Sequence, residues 1–212
     1  MTDKNRVYFF IAAALSLLIP VPGRLSFAIV ILLLFNVQMA AVTLCFHGIN
    51  ALGLKSVRNV LLVLSLIFLT VLYKQFLIAF CPIIALTLGF CLYLPALSTV
   101  AIDFFFEKRE EKLFVHLMDS MQKSIQITAA ALLYFLIREV VGYGTVSFPG
   151  MGKIIVFHLP FAVFGRGGVF FATMPGNFAL IAVALSAFVF VRKKFAIVRN
   201  AKSARKNSEN EK

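Results

Sequence analysis

The chain has 212 residues, 61% of them hydrophobic and only 14% charged, with a mean hydropathy of +0.94. A soluble domain of this size cannot cover so much apolar surface with so few polar side chains, so composition excludes a water-soluble globular fold and indicates an integral membrane protein. The formal net charge of +12 is not a nucleic-acid signature, because eight of the 21 lysines and arginines lie between Arg192 and Lys212, after the last apolar segment and without basic–aromatic interleaving.

In chain order, the first apolar stretch, Val7–Ile19, follows Lys4 and Arg6 and ends at Pro20-Val-Pro-Gly. A spanning helix needs about 20 apolar residues, so this stretch is half a span. No small-residue cleavage site precedes Pro20, and another apolar segment follows at once, so it is expected to be retained rather than removed as a signal. Leu25–Phe46 is a full span with Asn36 and Gln38 as its only strongly polar members. His47–Ser56, with Gly48, Gly53 and Lys55, reads as a loop. Val57–Phe80 is the next span and carries Lys74. A cation at the centre of a span costs about 2.5–3.5 kcal/mol. Lys74 is near enough to Phe80 to snorkel toward the headgroups; the alternative is that it lines an ion path with Asp103.

Cys81–Phe106 is apolar enough for lipid but interrupted by Pro82, Gly89 and Pro95, which predicts a stop or kink near Leu94. Non-helical backbone at membrane depth must be covered by protein or line a cavity, and broken segments commonly build a site there. Cys91 is the side chain expected to face it. Its bland alternative is a small buried hydrophobe. The odd set Cys45, Cys81 and Cys91 lies in or beside apolar runs and does not suggest a disulfide framework.

A charged loop, Glu107–Lys112, leads to a long helix over His116–Val141, where Asp119 and Lys123 are spaced to pair. It is expected to close at Gly142 and Gly144. Near its end Arg138 and Glu139 are adjacent, so they do not face each other; they read as helix caps or supports of the Gly142–Gly144 turn rather than as transport chemistry. Thr145–Pro175 is an extended connection with Pro149, Pro160 and a Gly-rich turn at Gly165–Gly168, and Asn177–Val191 is the final span. His47, His116 and His158 have no i,i+4 partner and form no metal constellation. No nucleophile elbow, phosphate-binding loop or zinc-protease motif occurs.

The order short, long, long repeats once. It predicts an all-α integral membrane fold of six hydrophobic segments, arranged as two inverted three-segment halves with short or broken first and fourth segments. Residues 1–194 form one polytopic membrane domain and residues 195–212 a basic tail. With the N-terminus inside, fifteen lysines and arginines fall on the inner side (Lys4, Arg6, Lys55, Arg58, Lys108, Arg109, Lys112 and the eight of the tail), against Arg24, Lys153 and Arg166 outside. Both termini are therefore expected to be cytoplasmic, with the tail near anionic lipid.

The stretch Ile137–Gly150, IREVVGYGTVSFPG, resembles the Arg-Glu, Gly-small-Gly-Thr and Phe-Gly pattern of the Rnf/Nqr family of membrane subunits. Taken loosely, the resemblance extends from Val7 to about Lys194. It implies a bacterial inner-membrane subunit of an ion-translocating NADH:quinone or ferredoxin:NAD oxidoreductase, itself non-catalytic. Such a subunit would pair with a homologous subunit and contact others of the complex, and electron flow there would be coupled to Na⁺ or H⁺ movement. It also implies a [2Fe–2S] cluster at the membrane midplane, held by two cysteines from each homologue. Cys91 matches the family's second-segment cysteine. Its first-segment cysteine has no counterpart, the corresponding region being AAAL at Ala12–Leu15, and LYLPALSTVA replaces the family phrase after Cys91. One thiolate short, the chain cannot complete the four-cysteine set without another ligand. The other readings are a small-solute permease or substrate-binding membrane component, and a scaffold paralogue without redox chemistry.

Overall fold

The computed structural model describes residues 19–99, 113–150, 153–159 and 168–183, together with Ser186 and Phe190. The first apolar stretch up to Leu18, Asp103, the charged loop, most of the Gly-rich run and the basic tail lie outside the described residues.

The chain is a mostly helical, multi-pass membrane protein. Among the described residues, four helical stretches are long and apolar enough to cross a membrane: Leu25–Ala51, Arg58–Phe80, Pro82–Thr99 and Leu113–Tyr143. The first of these, α1 (Leu25–Ala51), runs five residues past Phe46, so the loop expected from His47 shrinks. Gly48 has open space around it and is tolerated inside the helix, whereas Gly53, at φ 73°, takes the left-handed conformation that ends it. A short 3₁₀ turn at Lys55–Val57 leads into α2 (Arg58–Phe80).

The broken stretch is broken, but not at Leu94. Pro82 opens α3 (Pro82–Leu88), Gly89 turns the chain at φ 43°, and a 3₁₀ turn covers Gly89–Tyr93. Helix α4 follows over residues 94–99. Pro95 thus falls in the first turn of a new helix, where its missing N–H would have had no partner in any case. The interruption moves to the glycine, the one residue there free to adopt a positive φ.

The long helix α5 (Leu113–Tyr143) contains Gly142 and stops at Gly144, whose φ is 62°. Asp119 and Lys123 form the expected pair at 2.6 Å. The connection beyond is a β-hairpin, β1 (Thr145–Pro149) against β2 (Ile154–His158), antiparallel with Thr145 opposite His158 and Pro149 opposite Ile154. Then come α6 (Val169–Ala172) and α7 (Met174–Val183).

Packing follows the logic of lipid rather than water. The residues α5 buries (His116, Ser120, Ser124, Ile127, Ala131, Phe135, Arg138, Glu139 and Gly142) recur every three or four positions apart from the consecutive Arg138 and Glu139, one stripe of mostly small or polar side chains. Small and polar residues let helices approach and bond where lipid supplies no hydrophobic drive. Helix α2 buries only Leu62, Leu66, Thr70 and Leu77, a single narrow stripe, and leaves large apolar side chains such as Phe68 and Phe76 exposed. The core centres on α1, with Ile31, Leu34 and Phe35 packed against Phe135 of α5 and Leu88 and Leu92 of the broken stretch.

Candidate functional site

The site is built on the turn that precedes α1. Pro20-Val-Pro-Gly is non-helical, so the carbonyls of Ile19, Pro20 and Val21 have no intrahelical donors. A buried carbonyl left without a donor costs about 1–3 kcal/mol. Three side chains from three other segments supply the missing donors to three successive carbonyls. Asn177 Nδ2 of α7 donates to Ile19 O at 2.9 Å, Cys91 Sγ of the broken stretch reaches Pro20 O at 3.5 Å, and Arg138 Nη1 of α5 donates to Val21 O at 2.8 Å. Tyr134, one turn before Arg138, donates its hydroxyl to the Asn177 side-chain oxygen and so orients the amide.

Arg138 does more than meet Val21. Its Nη2 donates to Ala172 O at 2.9 Å and its Nε to Phe171 O at 3.4 Å, the carbonyls left open where α6 ends at Thr173. A rigid planar fork with five donors suits this, because its bonds diverge toward two backbones. The side chain is 1% exposed, and the three acceptors it meets, Val21 O, Phe171 O and Ala172 O, are neutral carbonyls.

Glu139, also fully buried, points the other way. Its Oε2 accepts from Leu25 N at 2.6 Å and from Ser147 Oγ at 3.0 Å, and its Oε1 from Thr145 Oγ1 at 3.1 Å. Ser147 Oγ also accepts from Ser26 N at 3.2 Å. Helix α1 has Arg24 at its N-cap, no side-chain cap of its own and no acidic residue in its first turn. A carboxylate 114 residues away in sequence supplies both the missing cap and the negative charge that a helix N-terminus favours.

The approach is close enough that a side chain at either of two glycines would press on its neighbours. A Cβ on Gly23 would stand 3.1 Å from Ala172 O and 3.2 Å from Arg138 Nε, and one on Gly142 would stand 3.0 Å from Ala172 Cβ. The end of α6 is thus wedged between the turn and α5.

Of the residues singled out from sequence, Cys91, Arg138 and Glu139 gather around this one turn and the start of α1. Lys74 does not join them: it is half-buried on α2, and none of the described residues bonds to it. Asp103 is outside the described residues. The other thiols have separate surroundings, with Cys81 Sγ 3.3 Å from Gly150 O and Cys45 packed beside Val42 and Phe46. Among the described residues no three His, Cys, Asp or Glu side chains converge as metal ligands. At the turn Cys91 is accompanied by an amide, a guanidinium and carbonyls, a donor set that does not fit a four-thiolate iron–sulfur cluster.

Three arrangements were not legible in sequence. On one side of α1, Asn36 Nδ2 donates to Thr128 Oγ1 at 2.8 Å and Ser124 Oγ donates to Asn36 Oδ1 at 2.7 Å. On the other side Gln38 Nε2 donates to Thr70 Oγ1 at 2.9 Å, while the buried Gln38 Oε1 has no hydrogen-bond partner among the described residues. At the far end of α1, the rings of His47 and His116 lie 5.4 Å apart beside Phe46, and the Arg58 guanidinium sits 4.8 Å over the Phe46 ring. The polar residues were visible in sequence, but the helix pairs they join were not. No protein-family model and no curated protein matches this chain.

Proposed function

We propose that this chain is a membrane subunit of an Rnf/Nqr-like ion-translocating oxidoreductase complex. It packs against a homologous subunit in the bacterial inner membrane and contributes a scaffold that flanks the redox centre rather than ligands to it. The observation that carries this reading is the meeting of the broken stretch with the end of the first apolar segment, Cys91 Sγ against Pro20 O. Interrupted segments that converge inside a membrane protein are the architecture of a built interior site. The run that resembles the family supports the same reading, since its Arg138, Glu139 and Thr145 are the groups that hold the turn and the start of α1 together. The donor set at the turn favours the scaffold role over a ligand role for Cys91, and this chain makes no catalytic contribution of its own.

The test is purification of the complex from the native membrane through a tag on this chain, comparing wild type with Cys91→Ala. The expected result is co-purification with other subunits of such a complex, with iron content and visible absorption unchanged in the variant. Loss of iron in Cys91→Ala would instead make Cys91 a cluster ligand. Purification without companion subunits, together with solute uptake by the reconstituted chain, would replace the complex by a permease. Both termini are proposed to be cytoplasmic; a reporter fused after Lys212 that is active only in the periplasm would reverse the orientation.

A further inference from the structure

The hairpin is built inside out for a water-facing structure. An antiparallel ribbon seated on a soluble core turns its apolar face inward and its polar face to solvent. Here the inward residues of β1 are Thr145 and Ser147, both bonded to Glu139, whereas the opposite face carries Phe148, Ile155 and Phe157, all exposed. The register places Val146 opposite Phe157 and Phe148 opposite Ile155 on one face, with Val146 half-buried against the core, while Thr145, Ser147, Ile154 and Val156 belong to the other. The rings of Phe148 and Phe157 meet edge to face at 6.2 Å, which joins them into one apolar surface.

Its depth follows from the seat. Ser26 N donates to Ser147 Oγ, which sets β1 level with the first turn of α1. Gln38, the middle residue of α1, lies about 18 Å from Ser26 at 1.5 Å per residue, and the half-thickness of the hydrocarbon core is about 15 Å. With α1 centred in the bilayer, the hairpin therefore lies at the boundary between acyl chains and headgroups. Its surroundings have the chemistry of that boundary. Lys153 is exposed at the hairpin turn, and Arg24 lies 5.6 Å from the centre of the Tyr143 ring at the end of α5. Cations and aromatic rings together mark the interfacial belt of membrane proteins. Leu133, Ile137 and Tyr143 of α5 are exposed apolar or aromatic side chains as well.

We propose that the Phe148–Ile155–Phe157 face of the hairpin is a lipid-contact surface that lies in the membrane interface and inserts into the outer part of the acyl region, with Lys153 at the phosphate level. The hairpin thereby fixes the height of α1 and α5 in the bilayer. This inference rests on membrane placement alone and not on membership of any complex.

The chain contains no tryptophan, so a single substitution gives a site-specific probe without further changes. Phe157→Trp and, separately, Phe148→Trp are introduced into the full chain and reconstituted in phosphatidylcholine vesicles carrying bromine at shallow or deep acyl positions. Phe68→Trp, on the exposed side of α2, calibrates the deep signal. The expected result is a blue-shifted emission for both hairpin variants, quenched more by shallow than by deep bromines and little affected by aqueous iodide. Emission quenched by iodide and indifferent to bromine would place the face in water and overturn the proposal. So would shallow-bromine quenching of the isolated chain that disappears for the same variant assembled with its native partners, since a protein would then cover the face.

Discussion

Arg138 and Glu139 are consecutive on α5, yet they serve opposite ends of backbone: Arg138 collects the carbonyls of Val21, Phe171 and Ala172, and Glu139 receives the first N–H of α1 from Leu25. Helix carbonyl ends carry partial negative charge and N–H ends partial positive charge. Two formal charges are thereby each matched by broken backbone, without pairing to one another.

The cost of removing Glu139 follows from what it leaves behind. Glu139→Ala strands Leu25 N–H and two hydroxyls in a buried site, which predicts destabilisation of about 3 kcal/mol. Glu139→Gln keeps one acceptor and loses less. Denaturation of the purified protein in mixed micelles measures both, and an alanine variant as stable as wild type would contradict the cap.

At position 138 shape matters as much as charge. An ammonium is a point donor that cannot reach Val21 and Ala172 at once, so Arg138→Lys is expected to loosen the turn nearly as much as Arg138→Gln. In a background with Cys45 and Cys81 replaced by alanine, Cys91 reports this directly. Its alkylation by a membrane-permeant maleimide should speed up several-fold in Arg138→Lys and in Asn177→Ala. Equal rates across the three proteins would mean that the contact with Pro20 does not depend on the other two donors.

The two polar pairs along α1 should respond in opposite ways to the same kind of change. Asn36→Leu removes a bridge in which both amide atoms are used and should cost about 1–2 kcal/mol. Gln38→Leu removes one bond but also a buried acceptor without a partner, so it should be neutral within about 0.5 kcal/mol or stabilising. Thr70 keeps its own bond to Leu66 O at 2.8 Å in either case. Thermal unfolding of the two variants side by side decides the sign.

Gly142 sits inside α5 at its closest approach to Ala172. Gly142→Val should overpack this contact and cost about 1–3 kcal/mol. Gly142→Ala should be milder, and the double variant with Ala172→Gly should recover most of its loss. Failure of that rescue would locate the effect elsewhere than in the contact.

The membrane class, the helical character, the interruption of the fourth apolar stretch and the pairing of Asp119 with Lys123 are written in composition and short-range spacing, because lipid demands long apolar runs and a helix brings i,i+4 neighbours together whatever surrounds it. The position of the break was misread from sequence, since Pro95 fits the first turn of a helix and Gly89 alone could take the positive φ. The hairpin was not read from sequence: its strands are only five residues long, and β2, Ile154–His158, shows no polar–apolar alternation. The site needed the tertiary structure altogether. Asn177, Cys91 and Arg138 meet at Ile19, Pro20 and Val21 across separations of 158, 71 and 117 residues. No local rule connects such positions. Only the packed helices decide which orphaned carbonyl each donor reaches.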